Sequence, residues 1–368
     1  MTDSSTTHYS IVDRAIHKLA FGSPMLQDML NDIERSLFSK SWSRARAEKP
    51  IFITSLPRAG TTIILESLCR LPSLATHTYR DMPFILTPVL WHKLAKVFYR
   101  KGIYRERAHG DGLSISEDSP EAFEEVLWKK YFSEKYTDYT LELWPVKYHD
   151  GTDKEFFICF HEHMKKIIFL RQPNNIINGR YISKNNANIS RVGFLKSLFP
   201  EAHIMIPLRN PIEHAISLWR QHINFMGQHV SDDFTRRYME DIGHYEFGVL
   251  HRTLRFPNFV SLTHNLEPTT LDYWLGYWIS AFEYLSEQLD ISILHYETLC
   301  QSAAEGMFKL CKQLEIDATE EDVINAAGVF HSPSASREAT HCADVRLTKR
   351  AMGLYDLLQD RCLLKQLL

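Results

Sequence analysis

Long apolar runs are missing from this 368-residue sequence: nowhere do 18 apolar residues follow one another, so no membrane span is expected. The opening residues, MTDSSTTHYSIVDRAIHKLAF, lack a basic stretch followed by an apolar core, so no secretory signal is expected either. Cysteine is sparse. The six, at 69, 159, 300, 311, 342 and 362, include no C-x-x-C pair. That spacing argues against a disulfide framework or a zinc site and predicts thiols in a reducing compartment. Together these absences predict a cytoplasmic protein, in which the Asn188-Ile189-Ser190 triplet is an accidental glycosylation pattern. An excess of charge of one sign is missing too. The net charge is −3, unlike the basic balance of a general nucleic-acid binder. Histidine is plentiful, at 18, but no H-E-x-x-H occurs, and the spacings of His161 with His163 and of His222 with His229 are poor for one helix face. No metal site is expected.

What is present is an ordinary globular composition, 44% hydrophobic and 24% charged. The length fits two average domains or one large α/β domain with insertions. Residues 11–47 have helical spacing, with Met25, Met29, Ile33 and Leu37 four apart, and are expected to pack over the core. Ile51-Phe52-Ile53-Thr54 is a β-type run, followed after Gly60 by helical spacing that Pro72 stops. Leu74 to Tyr79 suggests a second strand, and 83–99 a half-buried basic helix. Residues 101–120 are loop-like. A helix from Pro120 to about Tyr131 is expected, with Ser119 as N-cap and acids in its first turn. Lys166–Leu170, Arg180–Ser183, His203–Leu208 and Ile291–Tyr296 are predicted as strands. Helices are predicted at Ile189–Phe199, Pro211–Phe225, Leu271–Gln288 and Ala303–Leu314. Residues 226–268 look least regular and are taken as an insertion. The alternation predicts an α/β fold with a mostly parallel central sheet and helices on both faces.

Chemistry enters at Ser55-Leu56-Pro57-Arg58-Ala59-Gly60-Thr61-Thr62, a loop between strand and helix. Against the Walker A pattern G-x-x-x-x-G-K-[ST], the first Gly is missing and Thr61 stands in the lysine slot. A nucleotide triphosphatase would lose its γ-phosphate cation. A cation appears instead at Arg58, which can fork onto two oxygens. Gly60 permits close backbone approach, and Thr61 and Thr62 offer N–H and O–H donors at a helix N-terminus.

The run P-R-A-G-T-T resembles the P-R-S-G-T-T loop of the sulfotransferases that use 3′-phosphoadenosine 5′-phosphosulfate (PAPS), of the soluble, bacterial type; Ala59 departs from the common Ser. A second resemblance lies about 150 residues on. Arg209 ends a strand, Asn210-Pro211 follows, and Ser217 stands eight residues after the Arg, the spacing with which the family reads the 3′-phosphate. Arg180 to Asn188 resembles the segment whose lysine, Lys184, approaches the bridging oxygen of the donor. His295-Tyr296-Glu297-Thr298-Leu299 resembles the Y-E-x-L strand end, with Tyr296 against the nucleotide.

The resemblance implies a P-loop NTPase-like sulfotransferase fold in one domain over 1–368. N-terminal helices would occupy 1–47, a nucleotide-binding core 48–315 with the 226–268 insertion, and a C-terminal segment 316–368. It implies a sulfotransferase moving a sulfuryl group from PAPS to a hydroxyl or amine by metal-free in-line displacement, with PAP as product. Two residues are candidates for the base that takes the acceptor proton: His109, followed by Gly110 and Gly112 with Asp111 to orient it, and Asp81, close to the end of the second predicted strand. The insertion, with Arg236, Arg237, His244, Tyr245, His251 and Arg252, would suit an anionic or sugar acceptor. The acceptor class stays open among small molecules, lipids and saccharides, and nothing sets the oligomeric state. A P-loop kinase or an inactive PAP-binding module are the alternatives.

Overall fold

The computed structural model describes residues 11–95, 105–106, 114–148, 150–172, 174, 177–331 and 343–363. The strands among them are β1 (Ile51–Ile53), β2 (Leu74–Ala75), β3 (Arg105–Glu106), β4 (Ser114–Ile115), β5 (Thr140–Leu141), β6 (Arg180–Lys184), β7 (His203–Leu208), β8 (Thr253–Leu254) and β9 (Ser292–His295). Five of these form a sheet in the order β2-β6-β1-β7-β9, with every pairing parallel. The fold class is the one expected.

Parallel strands covered on both faces are apolar without alternation, and β1, Ile-Phe-Ile, is fully buried. Its residues divide between two cores. Phe52 joins Tyr181, Ile204, Ile206 and Ile293 on one face. Ile51 and Ile53 join Ile182, Met205 and Leu294 on the other. The second face is covered by helices Thr61–Leu68, Ala303–Gln313 and Glu320–Ala327, through Ile64, Leu65, Met307, Leu310 and Val323. Helices Thr152–Arg171, Val192–Leu198, Pro211–Ser231, Leu271–Ser286 and Val345–Gln359 cover the first. The C-terminal segment thus supplies one helix to each face. No helix among the described residues is long and apolar enough to cross a membrane.

Several elements differ from expectation. Lys166–Leu170 is not a strand but the last part of the 20-residue helix Thr152–Arg171. Phe156, Phe160, Met164, Ile167 and Ile168 are its buried stripe, so the apolar run completes a 3.6-residue period that begins ten residues earlier. The helix expected from Pro120 starts at Glu125, with no side-chain cap. The Ser119 hydroxyl instead accepts the N–H of Ser116 at 2.9 Å. Strand β2 has two residues, and Tyr79–Asp81 is a short 3-10 helix. Within the supposedly irregular stretch, helix Pro211–Ser231 continues six residues past Phe225 and helix Asp233–Asp241 follows. Strand β8 pairs in parallel with β5, and Phe259–Thr263 is helical. Finally, the stripe Met25, Met29, Ile33, Leu37 on helix Pro24–Trp42 faces solvent. Met25 is 81% exposed and Leu37 64%.

Candidate functional site

The C-terminal ends of β6, β1, β7 and β9 lie side by side, where open α/β sheets bind ligands. The register makes a step there. Ile53, the last residue of β1, lies opposite Lys184 of β6 and Met205 of β7, and β7 runs on to Leu208. The loop after β1 fills the step. Its Thr54 N–H donates to the Met205 carbonyl at 3.0 Å, and the Ser55 hydroxyl donates to the Pro207 carbonyl at 2.9 Å. His214 Nε2–H donates to the Pro57 carbonyl at 2.8 Å from the helix behind.

Two residues of the loop are left-handed, Arg58 at φ 70° and Gly60 at φ 89°. Gly60 is required on two counts. A side chain strains that φ, and a Cβ there would lie 2.3 Å from Cε2 of the Tyr296 ring. Gly60 also occupies the N-cap of helix Thr61–Leu68, which no side chain caps. The partial positive charge of that helix end therefore faces the loop.

Arg209 leaves β7 and Nη1 donates to the Arg58 carbonyl at 3.1 Å, while Arg58 Nε donates to the Ser217 hydroxyl at 3.3 Å. The two arginine motifs, 151 residues apart, are thus bonded to each other. Asn210 caps the next helix through its Oδ1, which accepts the N–H groups of Ile212 (3.1 Å) and Glu213 (3.2 Å), with Pro211 at the first helical position. The Asn210 N–H donates to Glu297 at 2.8 Å, tying this junction to the helix that begins at Tyr296.

A cavity of about 260 Å³ opens between these elements. Arg58, Gly60, Thr61, Thr62, Lys184, Arg209 and Tyr296 line it. Ser217 and Ala59 do not: Ser217 reaches it only through Arg58, and Ala59 is fully buried. The Tyr296 phenol is held well above its usual pKa, mainly by burial. Lys184 Nζ lies 3.9 Å from Glu121 Oε1, itself accepting the Ala122 N–H at 2.7 Å.

Residues outside the two arginine motifs complete the lining. Asn186 accepts the Thr61 hydroxyl at 3.3 Å and donates from Nδ2 to Glu246 Oε1 at 3.3 Å, so it links the loop to the 226–268 segment. That segment and the helix before it contribute Phe225, His229, Met239, His244, Glu246 and Phe247. A smaller cavity of about 30 Å³ adjoins and shares Lys184, Asn186, His244 and Glu246. Asn186 lay inside the quoted Lys184 segment. Nothing in the sequence distinguished Glu246; His229 stood out only as one of a poorly spaced histidine pair, and His244 as one of the basic and aromatic groups of the 226–268 segment.

The other candidates are placed differently. His109 and Asp111 lie outside the described residues. Asp81 does not line the cavity. It is fully buried, accepts the Thr78 N–H at 3.0 Å and Arg171 Nη2 at 2.5 and 2.6 Å, and pairs with His77 Nδ1 at 3.1 Å. Burial alone would raise its pKa, but Arg171 and His77 outweigh that and hold the carboxylate ionised below the ordinary range. Asp81 therefore ties its 3-10 helix to Arg171 rather than standing free as a base. Arg236 and Arg237 project into solvent and sit beside Asp233 and Asp241 of their own helix. Arg252 lies over the Tyr245 ring, 3.8 Å from its centroid. Among the described residues, no group of three or more His, Cys, Asp or Glu side chains is arranged to hold a metal ion.

Two buried acids, Glu124 and Glu125, bond the segment that follows Lys184, and Glu125 lines the smaller cavity. Glu124 accepts Asn188 Nδ2 at 2.9 Å, Trp128 Nε1 at 3.0 Å and the Tyr181 hydroxyl at 3.2 Å. Glu125 accepts Asn185 Nδ2 at 2.6 Å and pairs with buried Arg191. Burial would raise the Glu125 pKa, but Arg191 and these hydrogen bonds bring it below its ordinary value. The acids expected to favour a helix N-terminus thus hold the segment after Lys184 in place.

Comparisons with known proteins agree with the geometry at family level. A family model described as Sulfotransferase family matches residues 50–256, more than half of the chain. No curated protein matches. Among solved structures, sulfotransferase STF9 from Mycobacterium avium is 12% identical, with 98% of each chain covered and a TM-score of 0.47. Sulfotransferase STF1 from Mycobacterium tuberculosis H37Rv is 11% identical, covering 95% of this chain and 88% of that one, with a TM-score of 0.48. The sulfotransferase domain of the Synechococcus PCC 7002 olefin synthase is 13% identical, covering 86% and 98%, at 0.35. Scores below 0.5 give these three likenesses no weight for the details of the site.

Proposed function

The chain belongs to the sulfotransferase family, and from that premise we propose that it transfers the sulfuryl group of PAPS to a hydroxyl acceptor, releasing PAP. The observation that carries the reading is the bonded pair of arginine motifs around one cavity. In the proposal, the 5′-phosphosulfate lies against Arg58, Gly60, Thr61 and Thr62, where a helix N-terminus, hydroxyls and a guanidinium converge. Arg209 takes the 3′-phosphate, Ser217 acts on the site through its bond to Arg58, and Tyr296 packs beside the nucleotide.

The acceptor oxygen attacks sulfur as the bond from sulfur to the 5′-phosphate oxygen breaks, and the electron pair leaves on PAP. Lys184 and Arg58 offset the charge on the leaving phosphate, with no metal ion in the proposed step. The acceptor proton needs a base. We assign it to Glu246, which lines both cavities with Lys184 and is linked through Asn186 to Thr61. A cytoplasmic location belongs to the same proposal, supported by thiols at Cys69, Cys159, Cys300, Cys311 and Cys362 that form no disulfide.

Thermal shift tests the reading. PAP should stabilise the protein in EDTA and 5′-AMP much less; a preference for Mg-ATP would favour a kinase and overturn it. Glu246→Gln should lower kcat by roughly 10²–10⁴-fold with the PAP shift retained. Unchanged turnover would remove Glu246 from the base role.

A further inference from the structure

Glu121 is a buried carboxylate that the proposed reaction does not use. It lies between β4 and helix Glu125–Tyr131, with its side chain 3% exposed. The backbone around it is laced to the chain just after β2. The Glu121 N–H donates to the His77 carbonyl at 3.1 Å, and the Tyr79 N–H donates to the Ser119 carbonyl at 3.2 Å. Its carboxylate is held as firmly: Oε1 accepts the Ala122 N–H at 2.7 Å, and Oε2 accepts the Tyr79 hydroxyl at 2.6 Å. Lys184 Nζ stands 3.9 Å from Oε1. That distance matches the two charges but is longer than a hydrogen bond, so the pair does not tie an ammonium N–H to Glu121. Of the two, the lysine on its four-carbon stem is the one able to move.

Lys184 stands where an ammonium is hard to keep. Its side chain is 8% exposed, and Arg58 and Arg209 line the same cavity. Burial and like charge both favour the neutral amine, and an opposite charge in reach favours the ammonium. The other acids around the two cavities have partners of their own. Glu125 pairs with Arg191, Glu246 accepts Asn186, and Glu66 lies 3.7 Å from Arg70. The imidazoles of His229 and His244 and the Tyr296 phenol complete the titratable lining. Glu121 lines neither cavity; it touches the site through Lys184.

We infer that Glu121 is a positioning residue: before the donor binds it keeps Lys184 protonated and aimed into the cavity, and it yields the ammonium to the donor's 5′-phosphate. The inference rests on the donor assignment above, since it takes Lys184 for the group that meets that phosphate.

Calorimetry of PAP binding to the purified full chain, between about pH 6 and pH 10, tests it. The Kd rises once pH passes the pKa of Lys184 in the unliganded protein, because the ammonium is then lost. Glu121→Gln should bring that rise about 1–3 pH units below its position in the parent. Lys184→Arg added to Glu121→Gln supplies a cation that stays charged in this range, and should abolish the rise. Glu121→Asp keeps the carboxylate at a longer distance, so it should move the rise in the same direction by less, and it serves if Glu121→Gln does not fold. A merely structural role for Glu121 would weaken binding equally at every pH. If PAP does not bind the parent at any pH, the donor reading falls and this one with it. If PAP binds, but the rise keeps its parent position in both Glu121 variants or survives Lys184→Arg, the assignment of Glu121 alone is overturned.

Discussion

At the scale of single residues, the loop after β1 trades backbone comfort for position. Arg58 has a side chain in a left-handed conformation, at φ 70°, which costs about 1 kcal/mol relative to glycine. Its guanidinium is thereby aimed at Ser217 and the cavity. Arg58→Gly is expected to leave folding stability unchanged or raised by up to about 1 kcal/mol while abolishing the thermal shift with PAP. Gly60→Ala is the converse. A Cβ 2.3 Å from the Tyr296 ring, at φ 89°, should lower stability by about 1–3 kcal/mol and remove PAP binding as well. Urea unfolding and thermal shift on the two variants separate strain from recognition. A Gly60→Ala protein that unfolds and binds like the parent would contradict the close-packed loop.

At the scale of elements, helix Pro24–Trp42 is attached by charge as well as by apolar contact. Glu34 is fully buried on helix Pro24–Trp42. It accepts the Leu90 N–H at 2.6 Å and pairs at 2.9 Å with Lys166, which is buried on helix Thr152–Arg171. Lys166 also lies over the Trp42 ring at 5.1 Å. This explains why the stripe at Met25, Met29, Ile33 and Leu37 faces outward: the polar residue between its members is the one buried. Removing one partner leaves a buried charge, so Glu34→Ala should cost about 3 kcal/mol, and Glu34→Leu with Lys166→Met should recover much of it. Denaturant midpoints check both. Equal stability of Glu34→Ala and the parent would mean the pair does not hold the helix.

At the scale of the whole molecule, the interior holds histidines that stay neutral. His214 supports the loop from behind, and burial, then Arg209, push its pKa to about 3 despite the hydrogen bond to Pro57, with Arg58 adding to the effect. His222, at about 4, and His251, at about 3, are depressed in the same direction, mainly by burial. In the unfolded chain these groups titrate near 6.5. Between the two values the unfolded state binds more protons, so stability is full above about pH 6.5 and falls as pH drops toward the folded-state pKa. Each group contributes up to about 1.4 kcal/mol per pH unit in that window. The urea midpoint should fall between about pH 7 and pH 5, and His214→Gln should flatten the slope. A midpoint independent of pH in this interval would contradict neutral burial.

The sequence by itself determined the α/β class and the two strand-to-helix junctions proposed to hold the donor, at Arg58 to Thr62 and at Arg209. These depend on local rules: apolar runs for buried strands, a glycine where φ is positive, Asn-Pro at a helix start. It did not determine which face of helix Pro24–Trp42 is buried, nor that Lys166–Leu170 is helical. Periodicity marks an apolar stripe without saying what covers it, and a five-residue window cannot separate strand from the end of a long helix. Only the tertiary structure decided that Asp81 is bound to Arg171, and that Asn186, Glu246 and His229 meet the arginine loop across one cavity. Such contacts join residues far apart in sequence, from strand ends that lie side by side only once the sheet has formed, and no local spacing encodes them.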